Sequence, residues 1–348
     1  MRAITLDPGT PDSAALEEMP EPAPETGAIL VDGVALGICG TDAEIVRGDY
    51  GEAPPGAERL ILGHESLGRV ADAPDGSGFA PGDLVVGIVR RPDPVPCRSC
   101  AAGEWDFCSN GGYTERGIKG LHGYGSERWR IEPEFAVKLD PELGILGVLM
   151  EPTTVVAKAW EQIDRVLTRA TIEPERVLVC GAGPIGLLAA LLARRRDYDV
   201  TVLDLATAGP KPEIARDLGA SYHSGPVRAV DPPPDIIVEA TGVSEVVLDA
   251  MAHTGANGVV CLTGISSGGH AISLDAGDLN RSIVLENDLV FGSVNANRRH
   301  YEAAAQALAE ADRGWLDRLI TRRVPLDRWR EALARGQDDI KVVVELGG

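Results

Sequence analysis

The sequence lacks a long hydrophobic segment. No uninterrupted apolar run reaches the about 18 residues that a membrane-spanning helix needs, so no transmembrane helix is expected. The opening residues MRAITLDPGT also lack the continuous apolar stretch that follows the basic residue of a signal peptide. These absences predict a cytoplasmic protein with no membrane partner.

Positive charge is also scarce. The chain has 33 Lys and Arg against 53 Asp and Glu, which gives a formal net charge of −20. Such a charge argues against nucleic acid or an anionic membrane as a partner. What is present is a chain of 348 residues with 44% hydrophobic content, enough for two domains with sizeable cores.

Cysteine is sparse, with six residues in all. Cys180 and Cys261 lie in apolar segments, and we expect them to be packing residues. The other four are Cys39 and a cluster at short spacing: Cys97, Cys100 and Cys108. Short spacing of this kind in a cytoplasmic chain indicates metal binding before it indicates disulfides.

Residues 176–204 carry the clearest pattern: a strand, a glycine turn, an apolar helix and a second strand. Gly181 makes the turn, Gly183 lets the backbone approach a pyrophosphate, and Gly186 lets the helix pack closely on the sheet. The helix N-terminus presents free N–H groups and a partial positive charge to phosphates. We therefore predict a dinucleotide site, whereas the alternative is a glycine turn that only joins a strand to a helix.

Asp204 ends the second of these strands, 18 residues after Gly186. A carboxylate there accepts hydrogen bonds from a ribose diol and repels the 2′-phosphate of NADP, so NAD is expected to be preferred over NADP. The other residues predicted to bind the cofactor are Pro184, Ile185, Thr241 and Gly242.

The chain changes texture near Glu151. Before it come short strands and glycine turns with little helical periodicity, and after it strands and helices alternate. Alternation predicts a parallel, doubly wound Rossmann sheet, so the fold class is α/β with two domains. Predicted strands cover 28–36, 60–72 after a turn, 83–89, 176–180, 200–204, 235–239, 258–263, 288–293 and 341–346, and predicted helices cover 151–169 and 299–311.

Cys39 and the pair His64-Glu65 lie on predicted turns next to strands. Thiolate and imidazole are good zinc ligands, and a catalytic zinc needs three protein ligands and an open position. Glu151 is the third candidate ligand, and Glu65 is either a further ligand or a supporting group. Alone, Cys39 would be interpreted as a small buried hydrophobe and His64 as a structural histidine.

The segments GICGTDAEI, LGHESLGRV, FAPGDLVV and GAGPIG, with the pair Glu151-Pro152, resemble the zinc-dependent medium-chain dehydrogenases. The segments Val89–Pro92, Tyr113–Ile118 and His122–Tyr124 are similar to the glucose 1-dehydrogenase branch. The resemblance implies a chaperonin-10-like β-barrel catalytic domain, 1–156 and 295–348, that encloses a dinucleotide-binding Rossmann domain, 157–294. Zinc and nicotinamide would lie in the cleft between them.

The resemblance also assigns roles to individual residues. Cys39, His64 and Glu151 match the catalytic zinc positions, with Glu65 able to join them and Glu151 also facing the substrate. Thr41 matches the hydroxyl that passes on the substrate proton, and Glu44 stands where many relatives continue that relay with histidine. Two further residues match sugar-binding positions, although they could instead be a surface acid and a turn residue: Glu115 and Asn295.

The second cysteine cluster departs from the family pattern of four cysteines. Cys97, Cys100 and Cys108 fit the last three positions, whereas Pro94 occupies the first and Asp93 is its neighbour. Three thiolates and one carboxylate could hold a structural zinc. The alternative is that this segment, called the lobe below, has lost its metal, so that Cys97, Cys100 and Cys108 are free thiols.

These residues predict an enzyme that oxidises a sugar hydroxyl with zinc and NAD(P), most simply glucose to its lactone. A zinc-dependent dehydrogenase of another polyol or secondary alcohol is the first alternative, and a non-catalytic nucleotide-binding redox sensor is the second. The resemblance further implies a homodimer or homotetramer.

Overall fold

A computed structural model of the protein describes residues 1–266 and 271–347. The chain divides into two compact units, one formed by Met1–Thr154 with Asn295–Gly348 and the other by Val155–Val294. The predicted first boundary, after residue 156, lies two residues beyond Thr154, and the second falls at the same position.

Short strands are the main regular elements of the first unit before Glu151. They are β1 (Arg2–Leu6), β2 (Ala15–Glu18), β3 (Ile29–Ile38), β4 (Leu60–Ile61), β5 (Glu65–Asp72), β6 (Leu84–Gly87), β7 (Arg90–Arg91), β8 (Thr114–Arg116), β9 (Gly120–Leu121), β10 (Arg128–Ile131) and β11 (Ala136–Lys138). Two α-helices lie among them, α1 (Gly40–Arg47) and α2 (Arg98–Ala101), besides short 3-10 helices at Pro24–Thr26, Trp105–Phe107 and Pro133–Phe135. The expectation of turns alone around Cys39 is wrong, because Cys39 is the N-cap of α1 and its N–H donates to Asp42 at 2.8 Å.

The second unit alternates strands and helices as predicted. Its strands are β12 (Arg176–Cys180), β13 (Asp199–Leu203), β14 (Ser221–His223), β15 (Ile236–Glu239), β16 (Val259–Leu262) and β17 (Leu289–Gly292). Its helices are α3 (Met150–Leu167), which begins before the boundary, then α4 (Pro184–Arg194), α5 (Pro210–Asp217), α6 (Ser244–Met251) and α7 (Ala276–Glu286). The strands pair in parallel in the order β14-β13-β12-β15-β16-β17, which confirms the doubly wound sheet.

The C-terminal segment returns to the first unit with α8 (Arg298–Glu310), α9 (Arg313–Leu319), β18 (Ile320–Pro325) and β19 (Lys341–Glu345). No helix or strand was predicted between residues 311 and 341, but α9 forms there because Trp315, Leu316 and Leu319 are buried and fix it. Strand β19 pairs antiparallel with β3 and parallel with β18, in the sheet β11-β6-β5-β3-β19-β18. The last strand of the chain therefore lies inside the main sheet of the first unit.

Two cysteines are core residues, as predicted. Cys180 and Cys261 are fully buried in β12 and β16, and all six cysteines are free thiols. Burial raises the pKa of Cys261 to about 12, because a thiolate is poorly solvated there. These two residues thus act as small hydrophobes.

One helical stretch, Pro141–Leu167, is long and apolar enough by composition to cross a membrane. The core helix of a globular protein passes the same test, and 72% of the apolar window is buried inside the fold. This burial gives the segment a packing role within the protein.

Candidate functional site

The fold brings Cys39, His64 and Glu65 together. Cys39 directly follows β3, and His64 and Glu65 stand at the start of β5, the strand next to β3 in the sheet. The Cys39 Sγ lies 3.2 Å from the His64 Nε2, and one ligand atom from each of the three residues lies within 4.8 Å of the others. A sulfur, an imidazole nitrogen and a carboxylate oxygen form a donor set that fits zinc.

Asp42 lies behind the histidine and was not singled out from the sequence. It is fully buried on α1, with Oδ1 3.4 Å from the His64 Nδ1. Burial opposes its ionisation, but His64 and the Cys39 N–H outweigh burial and lower the pKa of Asp42. Burial likewise disfavours charged His64, yet Cys39 and Asp42 raise the pKa of His64 well above its usual value. A carboxylate in this position orients a metal-binding histidine.

Glu65 forms a buried ion pair that the sequence did not reveal. Lys341, at the start of β19, is 0% exposed and its Nζ donates to both Glu65 oxygens at 2.7 and 2.6 Å. Gly37 of β3 pairs with Glu65 on one side and with Val343 on the other. A Cβ on Gly37 would lie 2.0 Å from the Glu65 Oε2, so the carboxylate occupies space left by the missing side chain.

Glu151 is the second residue of α3 and is partly buried. Its carboxylate is not among the three groups within 4.8 Å of one another. Burial raises the pKa of Glu151 to about 7, and the nearby Glu65 charge adds to the rise, while His64 and Lys341 oppose it. Its role as a zinc ligand stays a prediction.

The two relay candidates lie on the first turns of α1. Thr41 is partly buried and follows Cys39 by two residues, and Glu44 is exposed. This arrangement places one hydroxyl near the cysteine and one carboxylate at solvent on the same helix.

The sugar-binding candidates contact each other. Glu115 on β8 is 5% exposed, and its Oε1 accepts from the Asn295 Nδ2 at 2.6 Å. The same oxygen accepts from Arg90 on β7 through Nε at 3.1 Å and Nη2 at 3.0 Å. Glu115 is therefore a buried acid in a hydrogen-bonded cluster, which differs from the surface-acid alternative.

The lobe brings three thiols together. The sulfurs of Cys97, Cys100 and Cys108 lie within 4.8 Å of one another, and the Asp93 carboxylate is not part of this group. The Asp93 Oδ1 instead accepts from the Val95 N–H at 2.8 Å. Backbone N–H donors from the neighbouring helix turn and from residue 109 lower the pKa of Cys97 to about 6, which favours the thiolate that binds metal.

The three glycines of the turn differ in backbone angle and in the space around them. Gly181 has φ 103°, which favours glycine. A Cβ on Gly183 would meet no atom within 4 Å, whereas one on Gly186 would lie 1.8 Å from the Gly181 oxygen. Pro184 opens α4, and Ile185 follows it in the first turn.

Asp204 at the end of β13 is held in place. Its Oδ2 accepts from the Ala182 N–H at 2.8 Å, and its Oδ1 accepts from the Ala206 N–H at 3.1 Å. Lys211 on α5 lies 3.5 Å from Oδ1. The carboxylate therefore faces the glycine turn with one cation beside it.

Thr241 and Gly242 follow β15 and are fixed by Glu239, a residue that the sequence analysis missed. Glu239 is fully buried, and its carboxylate accepts from the N–H of Thr241 at 2.7 Å and of Gly242 at 3.1 Å. Gly242 has φ 64°, and a Cβ there would lie 2.5 Å from the Ile265 oxygen. The sequence feature that could have indicated Glu239 is the acid at the end of the predicted strand in DIIVEATG.

Fold and site together define a class. One unit carries a Cys-His-Glu cluster on a strand-rich sheet, and the other carries a glycine turn at the end of the first strand of a parallel sheet. This combination is that of an alcohol-dehydrogenase-type oxidoreductase.

Comparison with known proteins gives the family. Residues 25–141 match the family model described as alcohol dehydrogenase GroES-like domain, and residues 144–346 match the one described as glucose dehydrogenase C-terminus. Glucose 1-dehydrogenase of Methanocella arvoryzae is 41% identical over all of both chains, and glucose 1-dehydrogenase 1 of Caldivirga maquilingensis is 40% identical over 99% of each. The chain belongs to the glucose dehydrogenase family of the zinc-dependent medium-chain dehydrogenases.

A solved structure of a glucose dehydrogenase also matches the whole chain. Glucose dehydrogenase of Haloferax mediterranei, in complex with NADP, Zn and gluconolactone, matches with a TM-score of 0.91 and 32% identity over all of both chains. These comparisons confirm the predicted chaperonin-10-like domain and the Rossmann sheet.

Proposed function

We propose that this protein oxidises an aldose, most simply glucose, to its lactone with zinc and a nicotinamide dinucleotide. The observation that carries the proposal is the Cys39-His64-Glu65 cluster, with Sγ and Nε2 3.2 Å apart and Asp42 behind the histidine. The Haloferax relative, which binds gluconolactone, supports the choice of a sugar.

Cys39, His64 and Glu151 would hold the zinc, with Glu65 as a further carboxylate beside it. Zinc bound there supplies a Lewis acid that lowers the pKa of a substrate hydroxyl, and the nicotinamide supplies the hydride acceptor. Thr41 would accept the hydroxyl proton while it releases its own hydroxyl proton toward Glu44, which is exposed on the same helix and exchanges protons with solvent. Glu115 and Asn295 hold other hydroxyls of the sugar, since each buried unpaired hydroxyl costs about 1–3 kcal/mol.

The second unit would bind the dinucleotide at Gly181, Gly183 and Gly186, with Pro184, Ile185, Thr241 and Gly242 along the cofactor. The fixed carboxylate of Asp204 supports a preference for NAD, because it accepts from a ribose diol and repels a phosphate dianion. Lys211 at 3.5 Å reduces that repulsion, and the Haloferax relative binds NADP. A kcat/KM about tenfold or more higher with NADP would refute the NAD preference.

The three-thiol lobe would hold a structural zinc, with Asp93 as the fourth ligand after a rotation away from Val95. We further propose that the protein is cytoplasmic and forms a homodimer or homotetramer. Light scattering of the purified protein measures the oligomeric state.

The test combines metal analysis with a spectrophotometric panel of aldoses, polyols and secondary alcohols with both cofactors. We expect aldose turnover that Cys39→Ala and His64→Ala abolish together with the loss of one zinc per chain. Turnover that survives both substitutions would refute the proposed centre, and turnover of simple secondary alcohols alone would favour the alternative substrate class.

A further inference from the structure

The two carboxylate oxygens of Glu115 have different surroundings. Oε1 accepts three hydrogen bonds, two from the Arg90 guanidinium at 3.0 and 3.1 Å and one from the Asn295 amide at 2.6 Å. No group in the described ranges 1–266 and 271–347 donates to Oε2. One oxygen is therefore fully occupied within the protein, and the other remains an acceptor.

Arg90 is held so that it cannot turn away from Glu115. It is 6% exposed, and its guanidinium lies 3.8 Å from the centroid of the Tyr113 ring. Its Nη1 lies 3.4 Å from the backbone oxygen of Asp106, and the strand register places it directly opposite Glu115. A planar guanidinium stacked on a ring presents its donors in a fixed direction.

The orientation of the Asn295 amide is fixed as well. Asn295 has φ 62°, a left-handed conformation that asparagine tolerates, and its Oδ1 accepts from the Ala296 N–H at 2.7 Å. Because the amide oxygen is used there, the NH2 group must face Glu115.

We propose that Arg90 is a positioning residue that, together with Asn295, reserves the Glu115 Oε1 and leaves Oε2 as an obligate acceptor for one substrate hydroxyl. The inference rests on the proposed sugar-oxidising function and adds a selection rule to it. The site requires a hydrogen-bond donor at that position of the sugar, and a group that only accepts is rejected.

Under this rule, Glu115→Gln should replace the hydrogen-bond acceptor that faces the substrate with a donor. Three donors converge on Oε1, so the amide oxygen of glutamine must take that place, because an NH2 group there would leave all three donors unpaired. The NH2 group then occupies the outward position. An acceptor becomes a donor with almost no change in shape.

The experiment compares glucose with its 2-, 3-, 4- and 6-deoxyfluoro analogues, since fluorine cannot donate a hydrogen bond. Wild-type enzyme should discriminate against one analogue by about 10- to 100-fold in kcat/KM, mostly through KM, as expected for one charge-assisted hydrogen bond. Glu115→Gln should reduce that discrimination to about threefold or less. The electronic effect of fluorine on hydride transfer is the same in both proteins and cancels in the ratio.

Arg90→Gln tests the positioning role directly. It should raise the KM for glucose about tenfold with kcat changed less than about twofold, and Arg90→Lys should recover part of the KM because one donor remains. Arg91→Gln is the matched control. Arg91 is 7% exposed, lies 3.9 Å from the Phe135 ring and pairs with Glu132, so it has the same burial but does not contact Glu115.

Unchanged fluorine discrimination in Glu115→Gln overturns the inference, as does an equal rise in KM in Arg91→Gln and Arg90→Gln. If Arg90→Gln does not fold, the nearly isosteric Glu115→Gln still decides. Absence of turnover with every aldose overturns the proposed function and this inference with it, whereas glucose turnover without the inversion overturns this inference alone.

Discussion

Lys341→Met should destabilise the first unit far more than the same substitution in a solvent-exposed lysine pair. Lys341 is 0% exposed and donates to both oxygens of Glu65, which is itself 2% exposed. Removing the cation leaves a buried carboxylate without a counter-charge. We therefore expect the free energy of unfolding to fall by about 3–5 kcal/mol. The measurement is urea unfolding of chelator-treated protein, so that no metal compensates Glu65, followed by tryptophan fluorescence.

The control is the same substitution at a surface pair of equal length. Lys138 lies 2.6 Å from Asp83, but their side chains are 46% and 23% exposed. Solvent screening limits such a pair to about 1 kcal/mol or less. Lys341→Met combined with Glu65→Gln should recover at least about half of the loss, since no buried charge then remains. A loss in Lys341→Met no larger than that in Lys138→Met would refute the reasoning.

Three further predictions concern other parts of the chain. Gly186→Ala should lower both stability and NADH affinity, because its Cβ would lie 1.8 Å from a backbone oxygen. Gly183→Ala, with no atom within 4 Å of its Cβ, should lower NADH affinity alone. Fluorescence titration measures the affinity and thermal melts measure the stability, and an equal fall in melting temperature in the two variants would contradict this prediction. Burial opposes ionisation of Asp235, but Arg176 and two backbone N–H groups outweigh it and lower the pKa of Asp235. The stabilisation by Asp235 is therefore present above about pH 4 and fades as pH falls through the lower folded-state pKa. In urea unfolding, the free energy of unfolding of Asp235→Asn should be about 1–3 kcal/mol below that of wild type, and this difference should become smaller in acid. A difference that does not change with pH would refute the prediction. Cys97→Ser should remove about one zinc per chain by elemental analysis, and an unchanged zinc content would refute the lobe site.

The parallel sheet was predictable because its signals are local. Strand β12 was predicted with its observed bounds and β13, β15, β16 and β17 within one residue at each end, since each is an apolar run closed by turn residues. The backbone geometry at Gly181 and the close contact at Gly186 follow from a motif whose spacing encodes its own geometry. Local patterns of this kind need no knowledge of distant contacts.

What sequence reasoning missed depends on register. The pairing of Glu65 with Lys341 requires three adjacent strands and an absent side chain at Gly37, and the two charges are 276 positions apart in sequence. Arg90 was visible only as part of a branch motif, because nothing in the sequence places it opposite Glu115. The segment beginning at Cys39 was expected to be a turn, because a cysteine N-cap carries a weaker local signal than serine or aspartate.

The position of β19 has a consequence for synthesis of the protein. Glu65 is translated 276 residues before Lys341, the cation that neutralises it. Until β19 has been made, β5 is the only described strand next to β3 along Ala35–Gly37, and the Glu65 carboxylate lacks its counter-ion Lys341. All strands of the parallel sheet precede β19 in the chain, so that sheet can form first, and the cysteine-histidine cluster gains its full electrostatic surroundings only once β19 has paired with β3.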